Sequence, residues 1–234
     1  MTDEQTGIEQ GGADEAHEAP AGEAAADSSA TPAPRQRPSS SDHDGELVLF
    51  VGDSLTAGGD WQSWLPGERV RNLGVNGDTT DGVLARLDEV VAAQPDVIVL
   101  LIGTNDFGNH RATAEHVVRN VESILVDLRR DLPGVRLLLV SILPRAASFT
   151  PRIEEANRHL RQFVATCRAQ FLDLWPALAE GDRIDPRFTE DDLHLNEDGY
   201  RAVVGELLPA LERLRDLPPM SRPINLADLR DLQR

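Results

Sequence analysis

Short apolar runs that alternate with helical periods constrain the fold of this chain more than any other feature of its sequence. Apolar, partly β-branched runs occur at 47–51, 69–73, 96–102, 135–142 and 170–174, and the run at 69–73 is the weakest. Segments with helical spacing of apolar residues, such as Val83–Val91 and Val117–Leu128, lie between them. Buried strands separated by helices form right-handed βαβ units. The sequence therefore predicts an α/β protein with a parallel sheet covered on both faces.

The composition divides the chain into three parts. Residues 1–44 hold few large apolar side chains, so we predict a disordered acidic tail there. Residues 45–214 are long enough for one domain with a full core, and its last helix is predicted to begin after Asn196 as N-cap. Residues 215–234 form a predicted C-terminal tail, in which Leu226–Leu232 either docks as a short helix or frays.

The charge of the chain excludes several functions. Its 40 acidic and 23 basic residues give a net charge of −17, which argues against nucleic acid and anionic membranes as partners. The N-terminus lacks the basic start and apolar stretch of a secretory signal, and no apolar run approaches the roughly 20 residues that span a bilayer. The single cysteine, Cys167, is expected to be a small core side chain. We therefore expect a cytoplasmic protein without stable membrane insertion.

Small or polar residues follow three of the predicted strands. Ser54 comes after the first strand, Gly77 after the second and Asn105 after the third. The carboxyl ends of parallel strands meet at one edge of the sheet, where ligands bind in open α/β proteins, so these residues should lie close together. His194 lies in the loop before the last helix, and Asp191, three residues earlier, is near enough to accept a hydrogen bond from its Nδ1–H.

These five residues supply the groups that acyl transfer requires. Ser54 is the candidate nucleophile, His194 the base that takes its proton, and Asp191 the acid that orients the base. A glycine at position 77 lets a backbone N–H come close to a substrate oxygen. The Asn105 amide can donate to the same oxygen, and such donors stabilise an oxyanion.

Each of these residues also has a purely structural interpretation. Ser54 could cap the helix after the first strand, Gly77 could serve only a turn, and Asn105 could be a cap at the start of a helix. His194 is one of six histidines and Asp191 one of many acids, so residue type alone is weak evidence. Their joint placement on functional loops of one sheet edge favours a catalytic site.

Four sequence blocks resemble those of the SGNH (GDSL) hydrolase superfamily. The blocks are Gly52–Leu55, Asn72–Thr80, Gly103–Asp106 and Asp191–His194. Three shorter segments are most similar to the catalytic subunits of platelet-activating-factor acetylhydrolase and their bacterial relatives: Gly77–Thr80, Gly103–Asn105 and Leu143–Arg145. The resemblance covers about residues 46–212 and neither flanking tail.

The resemblance implies a three-layer αβα fold with a flavodoxin-like, five-stranded parallel sheet in the order 2-1-3-4-5. It implies a Ser54/Asp191/His194 triad and an oxyanion hole made by the Ser54 and Gly77 backbone N–H groups and the Asn105 side chain. The chain order Ser, Asp, His and the lack of a Gly-x-Ser-x-Gly elbow argue against the ordinary α/β-hydrolase fold. No metal or cofactor is expected, and a homodimer is consistent with the resemblance.

The sequence constrains the substrate less than the chemistry. Aromatic residues make up 4% of the chain, and no insertion between strands is long enough for a lid. We therefore predict hydrolysis of a short, acetyl-type ester in an open cleft lined by Leu55, Phe107, Phe149 and Leu193. The same site could act on a sugar acetate, as a lysophospholipase, or as a thioesterase. Two alternatives come from other classes: a phosphate- or nucleotide-binding domain with an anion at 52–59, and a catalytically silent interaction subunit.

Overall fold

Five parallel strands form the central sheet of the computed structural model, which describes residues 45–108 and 112–216. The strand order is β2-β1-β3-β4-β5. The strands are β1 (Leu47–Gly52), β2 (Arg69–Gly74), β3 (Val97–Leu101), β4 (Arg136–Val140) and β5 (Gln170–Leu172). All five apolar runs are thus strands, and the predicted fold class and strand order are confirmed. A small antiparallel pair, β6 (Ala179–Glu180) and β7 (Arg183–Ile184), lies outside this sheet.

Helices connect the strands. They are α1 (Ser54–Ala57), α2 (Trp61–Trp64), α3 (Thr80–Ala85), α4 (Leu87–Ala92), α5 (Thr104–Gly108), α6 (Ala114–Asp131), α7 (Thr150–Phe163), α8 (Trp175–Leu178) and α9 (Glu197–Asp216). Short 3₁₀ turns, Ala147–Phe149 and Val164–Cys167, flank α7. Asn196 caps α9 as predicted, because its Oδ1 accepts a hydrogen bond from the Gly199 N–H at 3.0 Å. No helix within the described residues is both long enough and apolar enough to cross a lipid bilayer.

Successive side chains along each strand point to opposite faces of the sheet and divide the core into two clusters. One cluster joins the sheet to α3, α4, α6 and α7, with strand residues Leu49, Val51, Ile98, Leu100, Leu137 and Leu139. The other joins it to α2, α8 and α9, with strand residues Val48, Phe50, Val97, Val99, Leu101, Leu138 and Val140. Cys167 is buried in the first cluster, as predicted.

The end of β1 requires a glycine. A Cβ on Gly52 would lie 2.0 Å from the Leu101 carbonyl oxygen and 2.2 Å from Thr56 Oγ1. Because the first of these atoms belongs to the neighbouring strand, a side chain here would push β1 and β3 apart. The glycine therefore lets β1 stay paired with β3 up to the turn that presents residue 54.

The predicted tails lie almost entirely outside the described residues. The described part of the chain begins at Gly45 and its last helix continues to Asp216, two residues beyond the predicted limit of the domain. The segment 1–44 and the amphipathic piece Leu226–Leu232 are not described. The three-part division of the chain stays a prediction.

A truncation at the centre of β3 should destabilise the domain strongly. Leu100 is 1% exposed, so Leu100→Ala removes buried methyl groups and leaves a cavity. We expect the free energy of unfolding, measured by urea denaturation, to fall by about 3–5 kcal/mol. The matched control is Leu208→Ala on α9, where the side chain is 39% exposed and the expected loss is below about 1 kcal/mol. Equal losses in the two variants would contradict this account of the core.

Candidate active site

The turn after β1 presents Ser54 without using its side chain as a cap. Asp53 is the N-cap of α1, since its Oδ1 accepts a hydrogen bond from the Leu55 N–H at 2.9 Å. Ser54 is the first residue of the helix, and its Oγ lies 3.0 Å from His194 Nε2. The helix cap is therefore Asp53 and not Ser54. The Ser54 hydroxyl is left available for chemistry.

The loop before α9 holds a histidine and an aspartate in direct contact. His194 Nδ1 lies 2.7 Å from Asp191 Oδ2. The other carboxylate oxygen, Oδ1, accepts the backbone N–H groups of Leu193 at 3.0 Å and His194 at 2.7 Å. The hydrogen bond from the His194 side chain is the main reason that the pKa of Asp191 falls to about 2. An ionised Asp191 favours the proton on Nδ1, which leaves Nε2 as the acceptor that faces Ser54.

Hydrogen-bond donors face the same region from the loops after β1, β2 and β3. Gly77 has φ +77°, and no atom lies within 4 Å of the position that a Cβ would take. The Asn105 side chain donates one N–H to the Asp78 carbonyl at 2.9 Å, which fixes the amide and leaves its second N–H. Within residues 45–108 and 112–216, the backbone N–H groups of Ser54 and Gly77 donate no hydrogen bond to the protein. These three donors are therefore available to a bound oxygen.

An open cavity of about 680 Å³ brings these groups together. Its lining is Ser54, Ala57, Gly58, Asn76, Gly77, Asn105, Gly108, Arg145, Leu193 and His194. Asp191 does not line the cavity, and it contacts His194, which does. The His194 side chain, which lines the cavity, is 53% exposed, so the cavity opens directly to solvent.

The structure does not bring three of the predicted cleft residues to this cavity. Leu55 and Phe107 are 2% and 1% exposed and belong to the two core clusters on opposite faces of the sheet. Phe149 packs against the first cluster, with the Arg145 guanidinium 4.0 Å above its ring. Only Leu193, of the four, lines the cavity.

Arg145 and Asn76 line the cavity but were not among the predicted site residues. Arg145 lies a few residues beyond the end of β4, at the same sheet edge as Ser54 and Asn105. The strand-end argument that selected those two residues could have selected it as well. Asn76 is the neighbour of Gly77 in the turn after β2, and its place in the sequence block Asn72–Thr80 is the signal that could have selected it.

A buried carboxyl supports the turn from below. Asp53 is 1% exposed, and its Oδ2 has no hydrogen-bond partner. Burial, with a smaller effect of the nearby Asp78 and Asp106 carboxylates, raises the pKa of Asp53 to about 7. From α9, the Tyr200 hydroxyl donates to the Leu55 carbonyl at 2.9 Å, and burial raises the pKa of this phenol to about 12. The turn that presents Ser54 is thus held by side chains that are largely buried, Asp53 and Tyr200.

A polar network holds the Asn105 helix against α3 and α6. Asp106 accepts hydrogen bonds from the Thr80 N–H and hydroxyl, and burial raises the pKa of this carboxyl. His116 Nε2 lies 2.9 Å from Asp81 Oδ2. Ligand atoms of Asp81, Asp106 and His116 all lie within 4.8 Å of one another, a spacing that could hold a metal ion. Each of these atoms already has a protein partner, so we interpret the group as support for the loop that carries Asn105.

The buried Asp53 should make stability depend on pH. The pKa is 3.8 in an unfolded chain and about 7 in the folded one, so between these values the folded chain keeps a proton that the unfolded chain releases. Stability is therefore lost as pH rises through this interval, by at most about 1.4 kcal/mol per pH unit. Asp53→Asn keeps a capping side chain but no charge, so urea denaturation should show a weaker fall in its unfolding free energy with pH.

The control for this measurement is Asp60→Asn. Asp60 is exposed, and its side chain caps no helix N–H. This variant should follow the wild-type pH dependence. Parallel curves for wild type and Asp53→Asn would show that the carboxyl does not hold the extra proton.

A parallel α/β sheet that carries a Ser–His–Asp hydrogen-bonded chain at its carboxyl edge has the arrangement of a serine hydrolase. Residues 50–202 match the sequence model of the GDSL-like Lipase/Acylhydrolase family. Because the match covers more than half of the chain, the protein belongs to this family. The resemblance stated from the four sequence blocks is confirmed.

Named relatives and solved structures agree with this assignment. The chain is 29% identical over 192 residues to platelet-activating factor acetylhydrolase IB subunit alpha2 of Rattus norvegicus and of Homo sapiens, which covers 77% of this chain and 82% of theirs. It is similar to a Streptococcus pneumonia structure named for platelet activating factor, with 28% identity, a TM-score of 0.64, and coverage of 72% and 84%. An acetylxylan esterase from Geobacillus stearothermophilus shares the fold, with 19% identity, a TM-score of 0.61, and coverage of 77% and 98%.

Proposed function

We propose that the protein is a serine esterase that hydrolyses short-chain, acetyl-type carboxylic esters with Ser54, His194 and Asp191 as its triad. One observation carries the proposal. Ser54 Oγ lies 3.0 Å from His194 Nε2, and His194 Nδ1 lies 2.7 Å from Asp191 Oδ2. This chain of contacts faces a cavity that also presents the backbone of Gly77 and the amide of Asn105, which is the set of groups that acyl transfer to a serine requires.

In the proposed acylation step, Ser54 Oγ attacks the ester carbonyl carbon while His194 Nε2 takes the hydroxyl proton. Asp191 remains ionised and stabilises the imidazolium that forms. The carbonyl oxygen becomes negatively charged and accepts hydrogen bonds from the Ser54 and Gly77 N–H groups and the Asn105 amide. His194 then gives its proton to the leaving alcohol as the carbon–oxygen bond breaks, and the acyl group stays on Ser54.

Water completes the reaction by hydrolysing the acyl group on Ser54, with His194 again acting first as base and then as acid. His194 Nε2 takes a proton from a water molecule, whose oxygen attacks the acyl carbon. When the second tetrahedral intermediate collapses, His194 returns the proton to Ser54 Oγ. The free carboxylic acid and the starting form of the enzyme are the products.

The lining of the cavity supports a short acyl group. Ala57, Gly58, Gly77 and Gly108 contribute little side-chain surface, and Leu193 is the one large apolar residue among the described lining residues. Binding of a long acyl chain depends on apolar surface, at about 0.8 kcal/mol for each buried CH₂ group, and this lining offers little of it. The name of the mammalian relatives, platelet-activating factor acetylhydrolase, is also consistent with an acetyl group.

A second candidate is hydrolysis of longer lipid acyl chains or thioesters. The relatives named for platelet-activating factor favour a lipid ester of some kind, and nothing in the triad separates an oxygen ester from a thioester. Acyl-chain preference distinguishes the two candidates. The predicted homodimer, cytoplasmic location and lack of nucleic-acid binding are independent of this choice and stay predictions.

Removal of the Ser54 hydroxyl should abolish esterase activity. We expect Ser54→Ala to lower kcat on para-nitrophenyl acetate by about 10⁵–10⁶-fold, to the limit of detection. In wild type, kcat/KM should fall along the series acetate, butyrate, octanoate, laurate. Full activity of Ser54→Ala would overturn the mechanism, whereas a rise toward laurate would overturn the short-chain substrate and favour the lipid alternative.

A fluorophosphonate probe separates the enzyme from a catalytically silent subunit. The probe reacts only with an activated serine, so it should label wild type and leave Ser54→Ala unlabelled. Ser63→Ala is the matched control, because Ser63 is exposed on α2 and outside the cavity. This control should keep both labelling and activity. A wild-type protein that resists the probe would favour the silent interaction subunit.

Loss of one oxyanion donor should lower turnover more than binding. We expect Asn105→Ala and Asn105→Asp each to lower kcat on para-nitrophenyl acetate by about 10²–10³-fold with a small change in KM. Asn105→Asp keeps the size of the side chain and replaces the donor with an acceptor. Thermal unfolding checks that both variants fold, since the bond to the Asp78 carbonyl is also lost. A folded variant with wild-type kcat would exclude Asn105 from the oxyanion hole.

A further inference from the structure

Arg145 places a positive charge in the wall of the candidate active site. It follows β4, and its side chain lines the same cavity as Ser54 and His194. Gly108 makes room for it, since a Cβ at that position would lie 3.0 Å from Arg145 Nη1. Neither the triad nor the oxyanion hole uses this guanidinium.

Within residues 45–108 and 112–216, no carboxylate forms an ion pair with the Arg145 guanidinium. Its Nη1 donates to the Thr104 carbonyl at 2.9 Å and to the Thr104 hydroxyl at 3.2 Å. Its Nε is buried without a hydrogen-bond partner. None of the ion pairs within the described residues includes Arg145, and burial lowers its pKa. Burying a cation without a counter-ion costs folding free energy. The chain contains 40 acidic residues, and within its described part none of them forms an ion pair with Arg145.

The two carboxyls that attract Arg145, those of Asp191 and Asp53, form no ion pair with it. Asp191 binds His194 and two backbone N–H groups, and Asp53 is buried with a raised pKa. Both act on the guanidinium only at distances beyond an ion pair. Neither can neutralise Arg145 without leaving its own position in the site.

A second arginine, Arg152, contacts the same aromatic ring. The Cζ atoms of Arg145 and Arg152 lie 4.0 and 5.5 Å from the centroid of Phe149. Arg152 projects from α7, and within the described residues it has neither an ion pair nor a hydrogen bond. The two like charges disfavour each other, as the effect of Arg152 on the Arg145 pKa indicates. An anion bound at Arg145 would supply a counter-charge and offset the repulsion between the two arginines.

We propose that Arg145 forms an anion subsite in the active-site cavity, reinforced by the charge of Arg152, and that the substrate is an ester carrying a carboxylate or phosphate group. This inference rests on the proposed esterase function and adds the charge class of its substrate. The guanidinium offers N–H groups in a planar fork that suits such anions. Because the site also contains Asp191, an anionic ester gains from Arg145 only when its charge lies on the Arg145 side of the cavity.

Arg145 also has a structural role to be separated from recognition. Its bonds to Thr104 hold the residue that precedes Asn105, so a substitution could disturb the oxyanion donor. A positioning role would lower turnover of every ester alike. If Arg145 forms an anion subsite, its substitution should instead lower the preference for the charged ester, chiefly by raising the KM of that ester.

Matched pairs of charged and neutral acetate esters test the proposal. One pair is para-acetoxybenzoate and its methyl ester, and the other is acetylglycerol phosphate and acetylglycerol. Wild type should prefer the charged member of at least one pair, and the pair that shows the preference distinguishes carboxylate from phosphate. Arg145→Met should reduce the charged-to-neutral ratio of kcat/KM by about 10- to 100-fold, the effect of losing a hydrogen bond to a charged group.

Two further variants make the result specific. Arg152→Met should reduce the same ratio by about two- to fivefold, as expected for a charge that acts without direct contact. Arg158→Met removes an exposed arginine from the same helix, outside the active-site cavity, and should leave the ratio unchanged. Raising the salt concentration should weaken the wild-type preference, because the cavity opens to solvent and dissolved ions screen the charges in it.

The outcomes are distinct from failure of the esterase proposal. An equal loss on charged and neutral esters in Arg145→Met, or no wild-type preference for either charged ester, overturns the anion subsite while Ser54-dependent turnover stands. Turnover that survives Ser54→Ala overturns the esterase mechanism itself. A lower ratio in Arg158→Met equal to that of Arg145→Met would show that only the overall charge of the protein matters.

Discussion

The pairing of β1 with β3 is the constraint on which the rest of the site depends. β2 pairs with one edge of β1, and β3 pairs with the other. The strand order therefore reverses between β1 and β3, which leaves a crevice at the carboxyl ends of these two strands. Ser54 follows β1 and Asn105 follows β3. Gly52 keeps the two strands in contact up to the turn. The backbone hydrogen bonds of the sheet therefore set the distance between Ser54, the proposed nucleophile, and Asn105, the proposed oxyanion donor.

The sequence was sufficient to predict the sheet and the residues at its edge, because apolar runs mark strands and a parallel sheet brings their ends together. It was not sufficient to predict where side chains in the following turns point. Leu55 is one residue beyond Ser54 and Phe107 two beyond Asn105, and both lie in helices where each residue rotates the side-chain direction by about 100°. That rotation carries them into the core, on opposite faces of the sheet.

Electrostatic roles were the least accessible from the sequence. The chain has 23 basic residues, and only the folded arrangement shows that Arg145 lines the cavity without an ion pair to any carboxylate of the described residues. Asp53 belongs to an obvious motif, yet its raised pKa follows from complete burial of one carboxyl oxygen, which no pattern of residues reports. In this protein the buried and partly buried charged residues, Asp53 and Arg145, indicate the chemistry of the site. The excess of acidic residues in the whole chain does not.

The proposed base, His194, and its proposed orienting acid, Asp191, are separated by only two residues, so they form a closed unit within one loop. Asp191 accepts both the His194 ring and the backbone N–H groups of Leu193 and His194, and Asp192 makes the turn with φ +59°. Closing so short a loop costs little chain entropy. Ser54, by contrast, is 140 residues away from His194. The His194–Asp191 contact therefore depends on one loop alone, whereas the contact between Ser54 and His194 depends on the packing of the whole domain.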